Sequence, residues 1–359
     1  MSTEVRRADY RVTFGVLAIA AFAFSLLQSL VSPVLPLLQT DLHTSQNAVT
    51  WVLTAYLLAA AVFTPILGRV GDMIGKRKVL VGALALLAAG SILAAVAGSI
   101  AVMILARAVQ GVGGGVIPLA FGIIRDEFPR AKVAGAVGVI AALLAVGGGV
   151  GLVLAGPIVN SLDYHWLFWI PGGVVALAAL ATWLVVPESP VRTPGRISWS
   201  AAVLLSGWLV ALLVAVSQAP VWGWGSGSVL GLLVLAVLVL AGWIWVERRS
   251  SHPLIDLKMM RIPAVWTTNL VALMFGMGLY AIFAFLPEFL QTPSSAGYGF
   301  GASITESGLI VLPMSVSMFI FGSWSGRLST RLGAKTVLVA GSVASIPAFA
   351  IMAFAHHQI

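Results

Sequence analysis

The sequence predicts an all-α integral membrane bundle of about eleven transmembrane helices, and three observations carry that reading. The chain is 60% hydrophobic and only 9% charged, whereas a soluble domain carries about 25% charged residues. So few charges leave nothing to coat a water-facing surface, and lipid must be the outer solvent. Apolar runs of the length that crosses a hydrocarbon layer about 30 Å thick, roughly 20 helical residues, recur eleven times. Nineteen of the twenty lysines and arginines stand in alternate gaps between those runs. Positive charge is retained on the cytoplasmic side during insertion, so the alternation implies a multi-pass protein with its N-terminus inside.

Taken in order, the runs lie near 12–38, 49–68, 79–98, 100–124, 133–157, 165–186, 198–218, 228–247, 264–290, 303–325 and 336–355. Arg6, Arg7 and Arg11 precede the first. It resembles a secretory signal, but its span from Val12 to Leu38 exceeds a signal core of roughly 7–15 apolar residues, and no small-residue cleavage site follows. It is read as a retained helix. Arg69, Lys76, Arg77 and Lys78 follow the second run; Arg125, Arg130 and Lys132 the fourth; Arg192 and Arg196 the sixth. Arg248, Arg249, Lys258 and Arg261 follow the eighth, and Arg327, Arg331 and Lys335 the tenth. The gaps after odd-numbered runs hold no cation. They are turn-rich, as in Gln39–Ala48, Gln218–Ser228 and Gln291–Ala302. Aromatic residues such as Trp51, Trp222, Tyr298, Trp199 and Trp324 fall at predicted interfaces, as an amphipathic belt does. A closed barrel would show short alternating strands instead of runs this long.

Composition also excludes function classes. There is no cysteine, hence no disulfide framework and no thiolate metal site. His43, His165, His252, His356 and His357 all fall in loops or at the end, and none forms a metal or acid–base motif with a carboxylate, so neither an enzyme nor a resident metal or cofactor is expected. The G-x-x-x-x-G-K-[ST] loop is absent, so ATP does not drive this chain directly. The net charge of +8 is explained by topology and does not imply nucleic acid.

One cationic gap is repeated. Gly68-Arg69-Val70-Gly71-Asp72-Met73-Ile74-Gly75-Lys76-Arg77-Lys78 follows the second run, and Gly326-Arg327-Leu328-Ser329-Thr330-Arg331-Leu332-Gly333-Ala334-Lys335 follows the tenth. A single offset of 258 residues aligns Gly68 with Gly326, Gly75 with Gly333 and Val79-Leu80-Val81 with Val337-Leu338-Val339. Parallel repeats about an axis along the membrane normal are a transporter architecture, with the substrate site between the halves. Within the fourth run stands Arg107. A cation inside a spanning segment is functional by default, the alternative being one satisfied by backbone carbonyls or by Gln110.

These segments resemble the major facilitator superfamily, and in particular its fourteen-helix drug:proton antiporter branch. Gly68, Asp72, Gly75, Lys76 and Arg77 match the family's loop between helices two and three. The resemblance implies that Asp72 joins a charge network latching the cytoplasmic side, with Asp126 as an acidic partner and Arg327 and Arg331 as the counterpart in the second repeat. Arg107-Ala108-Val109-Gln110-Gly111-Val112-Gly113 is similar to the R-x-x-Q-G-x-G motif, whose arginine is linked to proton coupling. Gly147, Gly151 and Gly156 fit the antiporter motif G-x-x-x-G-P-x-x-G-G, while Leu152 and Ala155 stand where proline and glycine are expected and the proline is displaced to Pro157. In either case the small residues serve close helix packing. The first helix keeps Ser32-Pro33-Val34-Leu35-Pro36 but carries no acid between Asp9 and Asp41. Glu288 and Glu306 are therefore further proton-coupling candidates, or else solvated residues at helix ends.

The resemblance implies three regions: residues 1–190 as a six-helix N-terminal half, 191–260 as an inserted two-helix hairpin with a linker, and 261–359 as the first three helices of a C-terminal half, the chain being a truncated product or a fragment. The expected function is proton-coupled export of a small amphiphilic compound across the inner membrane, by a monomer working through alternating access. The cavity would be lined by runs one, two, four, five, nine and ten. Export of neutral or anionic solutes, or an inert truncated protein, are the alternatives.

Overall fold

The computed structural model describes residues 9–190, 198–251, 253–296 and 299–354; the expectations placed on Arg6, Arg7, Arg192, Arg196, His252, Tyr298, His356 and His357 lie outside the described residues. Among the described residues the chain is helical without strands. Eleven helical segments are long and apolar enough to cross a membrane: Tyr10–Asp41, Gln46–Ile74, Lys76–Ala95, Ile100–Glu127, Arg130–Ser161, Trp166–Val185, Trp199–Trp222, Gly227–Arg249, Pro263–Gln291, Ile304–Leu332 and Ala334–Ile351. They are numbered below as the first to the eleventh span. Each apolar run of the sequence corresponds to one span. Large apolar side chains remain on the outside, among them Leu177, Leu184, Val237, Leu238 and Ile346. This is the surface that lipid solvates.

Two spans carry interruptions. The first passes through a short 3-10 turn, Ser32–Val34, between its helices Tyr10–Ser29 and Leu35–Asp41. Pro33 and Pro36 supply no backbone donor there. The fourth passes through Val112–Gly115 in 3-10 form. A Cβ added at Gly111 would lie 2.6 Å from Ala59 Cβ, and one at Gly114 2.8 Å from Thr64 Oγ1. The missing side chains let the fourth span press against the second, as small residues do between helices in lipid.

Buried packing concentrates in spans one to six. One apolar cluster joins Leu17, Leu27, Leu80, Leu84, Leu119, Ile123 and Val175; a second joins Leu30, Leu38, Val49, Met103, Leu167 and Phe168 towards the opposite end. At that end, Tyr164 donates to Ala97 O at 3.2 Å; burial, with Asp41 and Asp163 nearby, holds this phenol above its ordinary pKa. His165 does meet a carboxylate, Asp163, at 3.0 Å in an exposed turn, a local contact between near neighbours in sequence. Spans seven and eight pack on each other through Ala201, Leu205 and Trp243. Thr54 Oγ1 and Ser217 Oγ, 3.3 Å apart, join the seventh span to the second. The linker that follows is pinned by Glu247, whose Oε1 accepts from Ile255 N at 2.5 Å.

The repeated segment departs from the loop expected of it. The second span stays helical to Ile74 and the tenth to Leu332. Both copies end on a glycine with positive φ, Gly75 at 118° and Gly333 at 84°. An L side chain is strained there, so glycine is the residue that stops the helix and redirects the chain. The two glycines related by the repeat are thus both helix stops, and Arg69, Asp72, Arg327 and Arg331 project from helix.

Candidate functional site

A cavity of about 360 Å³ lies within the bundle, lined by Phe24, Gln28 and Ser32 of the first span, Leu53 and Tyr56 of the second, Arg107 of the fourth, Leu144 and Gly148 of the fifth, Tyr280 and Phe283 of the ninth and Met318 of the tenth. Those six spans are the ones expected from the sequence. The volume falls in the range of small-molecule sites, about 300–1,000 Å³. The wall is apolar and aromatic with a few polar groups. Arg107 is its one charged side chain among the described residues.

Arg107 is fully buried. Its Nε donates to Val52 O at 3.1 Å and its Nη1 to Gln110 Oε1 at 2.7 Å. Gln110 Nε2 in turn donates to Ser91 Oγ at 2.9 Å, and Ser91 Oγ to Leu87 O at 2.8 Å. The guanidinium carbon lies 4.4 Å from the centre of the Tyr56 ring, within cation–π range. The chain therefore ties three helices, the second, third and fourth, to one buried cation. Among the described residues, Arg107 Nη2 and the Tyr56 hydroxyl are buried without a hydrogen-bond partner. Backbone and Gln110 thus satisfy part of the guanidinium. Tyr56, Ser91 and Tyr280 were not singled out in the sequence. Each is one polar residue in an apolar run, and only the fold shows which of them meet.

A second cluster lies at the basic end of the bundle. Lys76 Nζ sits 2.9 Å from Asp72 Oδ1 and 2.8 Å from Asp126 Oδ2. Ser189 Oγ donates to Asp126 Oδ2 at 2.6 Å. Glu188 Oε1 accepts from Arg77 N at 3.1 Å, and its Oε2 lies 3.8 Å from Arg77 Nε. Asp72, Gly75, Lys76, Arg77 and Asp126 are thus brought together across the second, third and fourth spans. Glu188 adds the end of the sixth. It escaped notice in the sequence, although an acid beside the basic end of a run was the available signal. The Lys76 stem passes Gly122, where a Cβ would lie 2.8 Å from Lys76 Cε. Gly68 faces open space. Arg327 and Arg331 are exposed and make no ion pair among the described residues.

The glycines of the fifth span form a seam with two neighbours. A Cβ at Gly147 would lie 2.8 Å from Phe22 O of the first span, and one at Gly151 would meet Ser29 Oγ and lie 2.9 Å from Leu26 O. On the other side, a Cβ at Gly149 would run into Ser315, and one at Gly156 would lie 2.7 Å from Thr305 N, both of the tenth span. Gly308 of that span in turn abuts Leu152 O, 2.6 Å from its notional Cβ. Ser25 Oγ donates to Leu144 O and Ser29 Oγ to Gly147 O, the latter at 3.3 Å. Pro157 faces outward on the same helix.

The two remaining candidates stand apart from the cavity. Glu288 is exposed near the end of the ninth span. Glu306 belongs to a capping box: its Oε2 accepts from Ser303 N at 2.8 Å while Ser303 Oγ accepts from Glu306 N at 3.2 Å. That arrangement starts the tenth span.

Comparison with known proteins gives a consistent picture. The profile of the family described as Major Facilitator Superfamily matches residues 17–359. The multidrug transporter protein MdtP of Bacillus subtilis (strain 168) is 31% identical over 362 residues, covering 98% of this chain and 64% of that protein. The tetracenomycin C resistance and export protein of Streptomyces glaucescens is 32% identical over 333 residues, covering 92% of this chain and 60% of that protein. The chain thus spans less than two thirds of the length of these relatives. Among solved structures, an auto-inhibited POT family peptide transporter superposes with a TM-score of 0.55 at 17% identity, covering 91% of this chain and 70% of that one, which is a likeness of fold.

Proposed function

The chain belongs to the major facilitator superfamily, and on that premise we propose that the protein is a secondary transporter that exports small amphiphilic compounds in exchange for protons by alternating access. The observation that carries this reading is the cavity, walled by the first, second, fourth, fifth, ninth and tenth spans, with one buried cation in its wall. A site at the interface of parallel repeats, reached from each side in turn as the repeats rock, is how such bundles move a solute. The relatives named for multidrug transport and tetracenomycin C export support the direction and the breadth of substrate.

In this reading the protein works as a monomer in the inner membrane, its N-terminus and basic end cytoplasmic. Residues 1–190 form one rocking half, 191–260 a peripheral hairpin and linker, and 261–359 belong to the other half. The Asp72–Lys76–Asp126 cluster, with Arg77 and Glu188, holds the cytoplasmic end of the first half together, and Arg327 and Arg331 meet it in another state of the cycle. Arg107 and Gln110 are the coupling groups. Glu288 and Glu306 are secondary candidates, the carboxylate of the latter being engaged by Ser303.

A second reading, export of neutral or anionic solutes, is favoured by one observation: among the described residues no carboxylate lines the cavity. The test of transport is proton flux driven by ethidium or by an uncharged dye in reconstituted vesicles, wild type against Arg107→Ala. Dye-driven flux lost in the variant is expected. Equal flux in both would remove Arg107 from the mechanism, and no flux in either would remove transport.

A further inference from the structure

The eighth span, Gly227–Arg249, buries one side and presents the other. Val229, Ala236, Trp243 and Glu247 are buried, packed towards the seventh span and the linker. Val234, Leu238, Ala241, Trp245 and Arg249 are exposed. They follow one another at spacings of three and four, which places them on a single stripe of the helix. The stripe is apolar for most of its length and ends in cations at the basic end of the bundle. There Ala241, Ile244, Trp245, Arg248 and Arg249 line an open groove. The Arg249 guanidinium carbon lies 4.3 Å from the centre of the Trp245 ring, within cation–π range. That contact uses the face of the guanidinium and not its N–H groups, which lie in its plane. Among the described residues neither Arg248 nor Arg249 forms an ion pair with a carboxylate. The helix dipole favours cations in a last turn, but it requires neither the stacking nor the groove.

We infer that this groove binds an anionic phospholipid, its phosphate held by Arg248 and Arg249 and one acyl chain lying along Ala241, Leu238 and Val234. Three features favour a lipid over a soluble anion. The arginines stand at the end of a membrane span, at the depth of the headgroups. Trp245 beside them is the residue type that settles at that depth. The exposed apolar stripe leads from the cations into the hydrocarbon, and Ala241 leaves room between the larger Leu238 and Trp245 for a chain to lie close. A zwitterionic headgroup carries its own ammonium next to the phosphate and gains less from two unpaired cations. Each arginine near the membrane surface contributes about five-fold to the affinity for anionic lipid. The inference goes beyond the transport reading and requires only that the helices cross lipid.

The test is native mass spectrometry of the purified chain in detergent, titrated with dioleoylphosphatidylglycerol, with dioleoylphosphatidylcholine or with glycerophosphoglycerol, the same anionic headgroup without its chains. Phosphatidylglycerol binds roughly twenty-fold more tightly than phosphatidylcholine, the product of two arginines. Arg248→Gln with Arg249→Gln removes most of that preference. Arg248→Lys with Arg249→Lys keeps it, which separates lost charge from lost fold. Arg327→Gln with Arg331→Gln removes the same charge from two other exposed arginines and also keeps it, which separates a site from bulk attraction. Equal affinity of the wild type for the two lipids overturns the inference. So does a glutamine pair at 248 and 249 that retains the preference, a lysine pair that loses it, or an equal loss on changing Arg327 and Arg331. Headgroup binding as tight as that of the whole lipid overturns the assignment to a lipid. None of these outcomes depends on proton flux, so the transport reading and this one fail separately.

Discussion

Lys76 Nζ lies 2.8 Å from Asp126 Oδ2, and both side chains are nearly closed to solvent, 4% and 5% exposed. The same ammonium also meets Asp72, whose side chain is 40% exposed. One cation thus bridges a buried acid on the fourth span and a half-wet acid at the end of the second. A buried partner removed alone strands a charge, whereas an exposed pair contributes little.

We therefore predict that Asp126→Asn destabilises the protein by about 3 kcal/mol, while Asp72→Asn changes stability by less than about 1 kcal/mol. Thermal melts in detergent check the order. Any effect of Asp72→Asn on transport beyond its small effect on stability would then belong to the conformational cycle. Equal melting of the two variants would refute the argument from burial.

Gly75 and Gly333 are equivalent helix stops in different surroundings. A Cβ at Gly75 would lie 2.5 Å from the Glu188 carboxylate, whereas at Gly333 it meets open space. Both positions carry positive φ, which for an L residue costs about 1–3 kcal/mol. Gly333→Ala should show that backbone strain alone. Gly75→Ala should lose more and should detach Glu188 from Arg77. Melts of both variants, with and without Glu188→Ala, separate strain from clash.

The fifth span is wedged between two neighbours by its glycines. Gly149→Ala should destabilise through overpacking, by about 1–3 kcal/mol, because its Cβ runs into Ser315. Ser315→Gly in the same chain should restore part of that loss, and a double-mutant cycle measures the coupling. Additive effects would show that the tenth span does not seat there.

Glu247 is 3% exposed and holds Ile255 N across the linker. Glu247→Ala should leave that amide without its acceptor and free the linker's Leu254, Ile255 and Leu257 from the hairpin. Trypsin should then cut faster at Lys258. Unchanged cleavage would mean that apolar packing alone holds the linker.

How much of this was legible beforehand varies by residue. Every span announced itself, since hydropathy and loop charge act locally and need no knowledge of neighbours. The partnership of Asp126 with the Lys76 segment was also readable, because both stand at the same end of adjacent spans. Glu188 was missed, since meeting Arg77 depends on how the third and sixth spans lie against each other. The helical character of Gly68–Ile74 was missed too. Glycine and charge read as loop, but a helix continues past the membrane until a residue such as Gly75 stops it.

The residues alone mark out eleven stretches long and apolar enough to cross lipid, nineteen cations confined to alternate gaps between them, and one arginine inside such a stretch. Those are consequences of solvent preference, a property each segment carries alone. Tertiary structure decided what that arginine touches: Val52 O and Gln110 on one side, Tyr56 beneath it, and a cavity shared with the ninth and tenth spans. Helices in lipid lack a hydrophobic force to choose partners. Their arrangement follows from close packing at small residues and from buried polar groups finding one another, which only the assembled bundle can show.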